Sequence, residues 1–542
     1  MSNLKYESFF PYRTIRKEQE KAIEYCIEQF KSGKRYVVVE AGTGCGKSAT
    51  GLTVSRWLNA WDRTPDPDYE DGTYYVTTQK ILQEQYVKDF GSSKGCMKSI
   101  KSASNYKCNF KLHKGNSCQD SQRLLRTTDK KSPFFKNCAF SCVYKQAKRN
   151  FLESKESVTN FPYFLTEAAF SGKITPRKCL VVDEAHNVET ELSKFIEVTV
   201  SKRFSRSVMK VSWPTKKTQY SVYKWIRDVY FPRASAKLLH FEEQIENLGI
   251  KSKIKDFNAL ANQYDMLSSH VKKMDTFLKV YQSDNWVLEV VPPKDRAMEK
   301  FVFRPIDVAP FVDEYVNRLG KRVVFMSATI LDKQTFCRSL GIEPEDTAFI
   351  SIPTPFPAEN RPIIFSASGH MNAKSINATL PKLAKAVSMI LAEHKDEKGI
   401  IHCHTYKIAN YLKQNVRSNR LLIHNSSDRD DVLRKHINSK KPTVLLSPSM
   451  SEGVDLHGNL SRFQVICKVP YPYLGDPLIR KRMNKFSGWY PMQVAKTIVQ
   501  AVGRSVRSKD DKAVTYILDG DWYSFLRKNR KFFPKSFLES LL

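Results

Sequence analysis

Nowhere in the 542 residues does an apolar run approach the ~20 needed to cross a bilayer, so no membrane-spanning helix is expected. The first twenty residues carry charges where a secretory signal needs an apolar stretch, so a secreted protein is not expected either. Eleven cysteines are an ordinary share for this length and do not make a disulfide scaffold. Internal repeats and low-complexity segments are not evident. Acid is the scarce component. Fifty-six Asp+Glu face 88 Lys+Arg, for a net charge of +32 and a pI of 9.6. That is far beyond the magnitude of ~2–8 that keeps a small domain soluble. It points to a polyanionic partner, nucleic acid first. Hydrophobic residues make up 41%, enough for several buried cores. At roughly 150 residues per domain the length suggests about three or four domains.

The positive charge is uneven. Between Lys94 and Asn150 there are 14 Lys/Arg and two acids, Asp120 and Asp129, a net of +12. Five cysteines, Cys96 to Cys142, share this stretch, and few apolar periodic runs do. On either side the pattern is α/β. Arg35–Glu40, Thr73–Thr77, Cys179–Val182 and Arg322–Met326 read as buried strands, separated by helical patterns such as Arg16–Phe30 and Lys80–Phe90. Strands alternating with helices imply a parallel sheet. A second such run begins near Asn360, with strands expected at Pro362–Phe365, Gly399–His402, Thr443–Leu446, Phe463–Cys467 and Val514–Leu518. Between the runs, from Glu191 to about Lys300, Lys, Glu, Tyr and Phe recur at helical spacing, as in Ile254–Tyr281, so this part reads as mainly helical.

Ala41-Gly-Thr-Gly-Cys-Gly-Lys-Ser48 follows a strand and precedes an apolar helix. Gly42, Thr43, Gly44 and Gly46 can turn backbone N–H groups onto phosphates, Lys47 can reach the β/γ-phosphates of ATP, and the Ser48 hydroxyl can ligate Mg²⁺. The first position is Ala41, one residue off the strict GxxxxGK[ST] pattern. Leu180-Val-Val-Asp-Glu-Ala-His186 supplies a second half: Asp183 at a strand end can hold Mg²⁺, and Glu184 can deprotonate an attacking water. Four thiolates from the cysteine-rich stretch would suit either Zn²⁺ or an iron–sulfur cluster, and spacing alone does not choose, although the absence of a CxxC pair weakens zinc. Cys45, Cys179, Cys403 and Cys467 sit on expected buried elements and read as small apolar fillers.

These motifs resemble the superfamily 2 helicases, and further matches follow in that family's order. Gln19 lies where its adenine-reading glutamine lies. Ser327-Ala-Thr329 matches the motif linking ATP state to nucleic-acid grip. Ser449-Met-Ser-Glu-Gly-Val-Asp455, with Gly453 and Asp455, matches its fifth motif. Gln500-Ala-Val-Gly-Arg-Ser-Val-Arg507 matches its sixth, with Gln500 and with Arg504 and Arg507 as arginine fingers. The resemblance narrows to the XPD/DinG group through Thr78–Gln85, Pro355-Phe-Pro357 with Glu359-Asn-Arg361, Ser104–Cys108, and Cys142–Ala147 followed by Thr159–Leu165.

What the resemblance implies is definite. The fold is α/β, two RecA-like parallel-sheet motor domains, the first carrying a small cysteine-rich insertion and a mainly helical arch. The expected divisions are 1–95, 143–190 and 301–345 for the first motor domain, 96–142 for the cluster insertion, 191–300 for the arch and 346–542 for the second motor domain. The implied cofactors are ATP, Mg²⁺ and a 4Fe–4S cluster on Cys108, Cys118, Cys138 and Cys142, spaced by nine, 19 and three residues. The implied partners are single-stranded and forked DNA, the implied polarity 5′ to 3′, and the protein is expected to act as a monomer. Its length suits a bacterial or viral chain of the cytoplasm or nucleoid, and too little sequence flanks the motifs for an appended nuclease. Lys107, Lys111 and Lys136 could track phosphates. Tyr106, Phe134 and Phe135 could stack bases or equally form a minimal core around the cluster. A rival reading is an ATP-switched nucleic-acid clamp that does not unwind.

Overall fold

The computed structural model describes residues 4–42, 44–78, 80–91, 97–111, 116–126, 128–248, 254–294, 298–425, 427–448 and 456–542. The strands in chain order are β1 (Tyr36–Ala41), β2 (Glu70–Thr77), β3 (Lys98–Ser99), β4 (Glu156–Asn160), β5 (Arg177–Asp183), β6 (Val198–Ser201), β7 (Trp286–Val291), β8 (Lys300–Pro305), β9 (Gly320–Ser327), β10 (Thr347–Ile352), β11 (Ile363–Gly369), β12 (Gly399–His402), β13 (Leu421–Ile423), β14 (Val444–Ser447), β15 (Phe463–Ile466) and β16 (Val514–Asp519).

They form three sheets. The first, in the order β10-β1-β9-β5-β2-β4-β3, and the second, β11-β16-β15-β12-β14-β13, are parallel throughout. Helices cover both faces, so the central strands β1 and β5 are buried at every residue. This is why their middles, Val37–Val39 and Cys179–Val182, read in sequence as apolar runs. The third sheet, β6-β8-β7, is antiparallel.

The expected strands and helices are all present, most with ends shifted by one to three residues. One expected division is not. β10 lies past residue 345, yet it pairs with β1 along its whole length, so the first sheet runs on to Ile352. The segment expected as a mainly helical arch is mainly helical, and it also carries β6 and β7, which pair with β8. β10 pairs with a strand more than 300 residues away, and β6 and β7 are strands of four and six residues flanking a long helical stretch. The arch itself is built on aromatic packing. Trp213 stacks on Phe301 at 4.2 Å and Tyr223 on Tyr281 at 3.9 Å. Each such pair adds about 0.5–1.5 kcal/mol beyond its buried area.

The second sheet's layer is tied to the first by the helix Pro477–Lys485. Arg482 is buried and donates to Ile306 O at 2.8 Å and Pro305 O at 3.2 Å, and it pairs with Glu189 at 2.9 Å. Arg304 forks onto both oxygens of Asp476 at 3.1 and 2.7 Å. No described helix is long and apolar enough to cross a membrane.

Candidate nucleotide site and cysteine insertion

β10, β1, β9 and β5 are neighbours, and their C-terminal ends bring Ile352, Ala41, Ser327 and Asp183 to one edge of the first sheet. Open α/β sheets bind ligands at this edge. A cavity of about 380 Å³ opens there against the second sheet's layer. Lys47 and Glu184 line it from one side, and Gln500, Arg504 and Arg507 from the other.

The loop after β1 leads into the helix Lys47–Trp61. Gly44 and Gly46 have φ of +84° and +75°, a region that favours glycine. Both also face close neighbours: a Cβ on Gly44 would fall 2.2 Å from the Phe356 ring, and one on Gly46 2.2 Å from Gln19 Nε2. The Pro355-Phe-Pro357 segment therefore packs directly on the loop. Lys47 Nζ donates to Ala41 O at 3.2 Å. Gln19 is buried, and its amide is engaged on both sides: Oε1 accepts from Arg16 N at 3.1 Å and Nε2 donates to Gly46 O at 3.3 Å. Thr43, and the segment with Gly453 and Asp455, lie outside the described residues.

Asp183 is buried at the end of β5. Its Oδ1 accepts from Glu184 N at 2.9 Å and its Oδ2 from the Tyr86 hydroxyl at 3.0 Å. Burial, then the neighbouring Glu184 carboxylate, raise its pKa to about 6, against the pull of Lys47. Glu184 itself has φ +54° and ψ +45°, an uncommon conformation for a non-glycine residue and the kind of strain that collects at functional sites.

His186 joins the two sides. Gln500 Nε2 donates to His186 Nε2 at 2.9 Å and to Thr329 Oγ1 at 3.3 Å. With Nε2 accepting, the ring proton sits on Nδ1, 2.7 Å from Ser327 Oγ and 3.3 Å from Glu184 Oε2. Burial, helped by Lys496, Arg504 and Lys47, holds this imidazole neutral, well below the usual histidine range. Gln500 Oε1 has no partner among the described residues.

Sequence reasoning missed three participants. His186 stands out in the sequence only as the last residue of Leu180–His186. Tyr86 sits one residue past the Thr78–Gln85 segment and reads as an ordinary core aromatic. Glu40 is a buried carboxylate on the cavity wall, accepting from Leu331 N at 2.7 Å and Ser351 Oγ at 2.9 Å. A charged residue inside an otherwise apolar strand was the available signal.

In the cysteine insertion, Cys108, Cys118, Cys138 and Cys142 are all buried. They are near one another: after burial, the neighbouring thiols help raise Cys118 to about 11 and Cys138 to about 12. Gln122 Nε2 lies 3.5 Å from Cys142 Sγ. Four gathered thiols suit an iron–sulfur group in kind. Among the described residues, however, no three His, Cys, Asp or Glu side chains stand close enough to hold a metal ion. Cys96 lies outside the described residues.

The insertion's missing core is borrowed. Leu124, Phe134 and Cys138 pack with Ile245, Phe257 and Ala261 of the arch, and Arg123 donates to Asp265 at 2.6 Å. Phe134 is thus a core residue, and Tyr106 packs on Tyr144 at 5.6 Å. Among the described residues of the insertion, Phe140 is the exposed aromatic, 70% accessible. Lys107, Lys111 and Lys136 are exposed.

Two family models match this chain: "Type III restriction enzyme, res subunit" over residues 13–211 and "Helicase C-terminal domain" over residues 389–539. Among curated proteins, the ATP-dependent DNA helicase DinG of Photobacterium profundum is 27% identical over 239 residues, 40% of this chain and 34% of that protein. The ATP-dependent DNA helicase YoaA of Escherichia coli is 24% identical over 229 residues, 40% of this chain and 35% of that one. The matched region thus spans about a third of these relatives. A probable ATP-dependent helicase of Methanocaldococcus jannaschii is 20% identical, covering 97% of this chain and 95% of its own. Among solved structures, an XPD helicase superposes with a TM-score of 0.63 at 16% identity, covering 96% of this chain and 98% of that one. The two sheets, with a loop-and-carboxylate edge facing an arginine-bearing partner layer, share the fold of that solved XPD helicase. In sequence the chain is similar to the DinG and YoaA helicases over about 40% of its length.

Proposed function

We propose that this protein is an ATP-dependent DNA helicase that moves along single-stranded DNA, 5′ to 3′, and opens forked duplex. The observation that carries the reading is the cavity between the sheets, lined by Lys47 and Glu184 from one layer and by Gln500, Arg504 and Arg507 from the other. A phosphoryl transition state is stabilised mainly by positioned charge, so a site split between two layers turns over only when the layers meet.

In this reading the backbone from Gly42 to Gly46 cradles the phosphates. Lys47 leaves Ala41 O for the β/γ-phosphates. Ser48 and Asp183 are the groups that would hold Mg²⁺, which when bound neutralises charge on the β- and γ-oxygens. Glu184 takes the proton of the attacking water, and Arg504 and Arg507 approach the γ-phosphate. Gln19 braces the loop through Gly46 and keeps a second N–H and a second oxygen lone pair with which to read adenine. Gly453 and Asp455 belong to the same site by motif. Cys108, Cys118, Cys138 and Cys142 would hold a 4Fe–4S cluster, whose bonds would tie the insertion's loops together. The net charge of +32 supports a single-stranded DNA track across both layers.

The test is strand displacement on forks with either a 5′ or a 3′ tail, with Glu184→Gln as the variant that binds Mg-ATP and does not hydrolyse it. Displacement from 5′-tailed forks by the wild type alone is expected. DNA-stimulated hydrolysis without displacement would establish the switched clamp instead, and a 3′ preference would reverse the polarity.

A further inference from the structure

The Ser48 hydroxyl and the Asp183 carboxylate must stand at a fixed separation to share one cation, and the first sheet does not set that separation directly. Ser48 follows β1 and Asp183 ends β5, and β9 runs between these strands. No ladder hydrogen bond joins β1 to β5. One side chain does span the gap. The Tyr86 hydroxyl donates to Asp183 Oδ2 at 3.0 Å, and the Ser48 side chain lies close enough on its other side to lower its pKa.

We infer that Tyr86 is a positioning residue for the nucleotide-bound divalent cation, its phenol holding Asp183 and Ser48 in the arrangement that the cation requires. This rests on the nucleotide site proposed above.

The phenol can do this because it has little freedom. Tyr86 is 2% exposed, and its ring packs against Tyr75 at 5.8 Å and Phe90 at 5.7 Å. Its helix, Lys80–Phe90, is pinned along its length. Gln83 donates to Ile100 O at 2.7 Å and accepts from Asn160 at 3.1 Å. Lys80 donates to Asn105 at 2.9 Å, and Glu84 pairs with Lys101. A group held this way keeps its neighbours in a narrow range of positions at no cost when the ligand arrives. Without the hydroxyl, Asp183 keeps one backbone donor and swings more freely, and Ser48 loses its tie to it.

The experiment compares wild type, Tyr86→Phe and Tyr75→Phe. Phenylalanine keeps the ring packing in both. Tyr75 is the control because its buried hydroxyl meets Ser55 Oγ at 2.5 Å and no group of the nucleotide site. Binding of a fluorescent ADP analogue is titrated with MgCl₂, with a parallel series in EDTA. A hydrogen bond to a charged group is worth about a factor of ten or more. The half-saturating Mg²⁺ concentration should therefore rise about tenfold in Tyr86→Phe and stay at the wild-type value in Tyr75→Phe, while affinity in EDTA is the same for all three. A Tyr86→Phe value within about twofold of wild type, or an equal shift in Tyr75→Phe, would overturn the inference. Wild-type binding that ignores Mg²⁺ would overturn the nucleotide-site reading, and this inference with it.

Discussion

The hydrogen bond between Gln500 and His186 is where the two layers read each other, and its removal has a calculable effect. Gln500→Leu keeps the side chain's size and deletes its amide. Two bonds are lost, to His186 Nε2 at 2.9 Å and to Thr329 Oγ1 at 3.3 Å, and a buried ring nitrogen is left without a donor. At about 1 kcal/mol for each neutral bond, the closed arrangement loses about 2 kcal/mol, or roughly thirtyfold in DNA-stimulated ATP turnover. His186→Ala removes the same bond from the other end, together with the bond to Ser327. The double variant should therefore fall short of the summed effects by about 1 kcal/mol, the value of the shared bond. Steady-state ATPase of all four proteins at saturating single-stranded DNA measures this cycle. Because burial keeps His186 neutral, the coupling should be unchanged from pH 6.5 to 8.5. Effects that add to within about 0.3 kcal/mol would refute the link, as would normal turnover in Gln500→Leu.

Affinity for single-stranded DNA should fall steeply with salt. Each neutralised phosphate contributes about −0.7 to the slope of log K against log salt, and a slope near zero would rule out an electrostatic track. Cys108→Ser or Cys142→Ser should lower iron and acid-labile sulfide and abolish strand separation, with nucleotide affinity retained; stoichiometric zinc without iron in anaerobically purified wild type would defeat the cluster. His436 is fully buried, with Nε2 2.9 Å from Leu460 O and Nδ1 2.9 Å from Thr443 Oγ1, and burial drops its pKa from 6.5 to about 4. A histidine whose pKa is lowered on folding stabilises above the unfolded value and loses that contribution as pH falls. Stability should therefore decline between pH 6.5 and 4, by up to about 3 kcal/mol from this group, and His436→Gln should flatten the decline in thermal melts.

The chemistry along each strand is legible in the residues alone. Apolar runs of four to seven residues with helical segments between them could only make parallel sheets covered on both faces, and β1, β5, β9 and β12 follow from that. The residues at the strand ends were equally legible, since a loop that must bring backbone N–H groups together needs glycines, and a cation needs a carboxylate at a strand terminus. Tertiary structure decided whatever depends on partners distant in the chain. β10 was invisible because an edge strand pairs with β1 more than 300 residues away. The cysteine insertion seemed to lack a core because half of that core, Ile245, Phe257 and Ala261, belongs to the arch. Tyr86 and His186 carry no sequence mark of their roles. A phenol or an imidazole becomes a link between motifs only when the fold places a carboxylate on one side of it and a hydroxyl or an amide on the other. Gln19 shows the reverse case: its motif is plain in the sequence, and packing against Gly46 decides how its amide is spent. Local pattern records what a residue can bury or donate, and only the closed fold records what it meets.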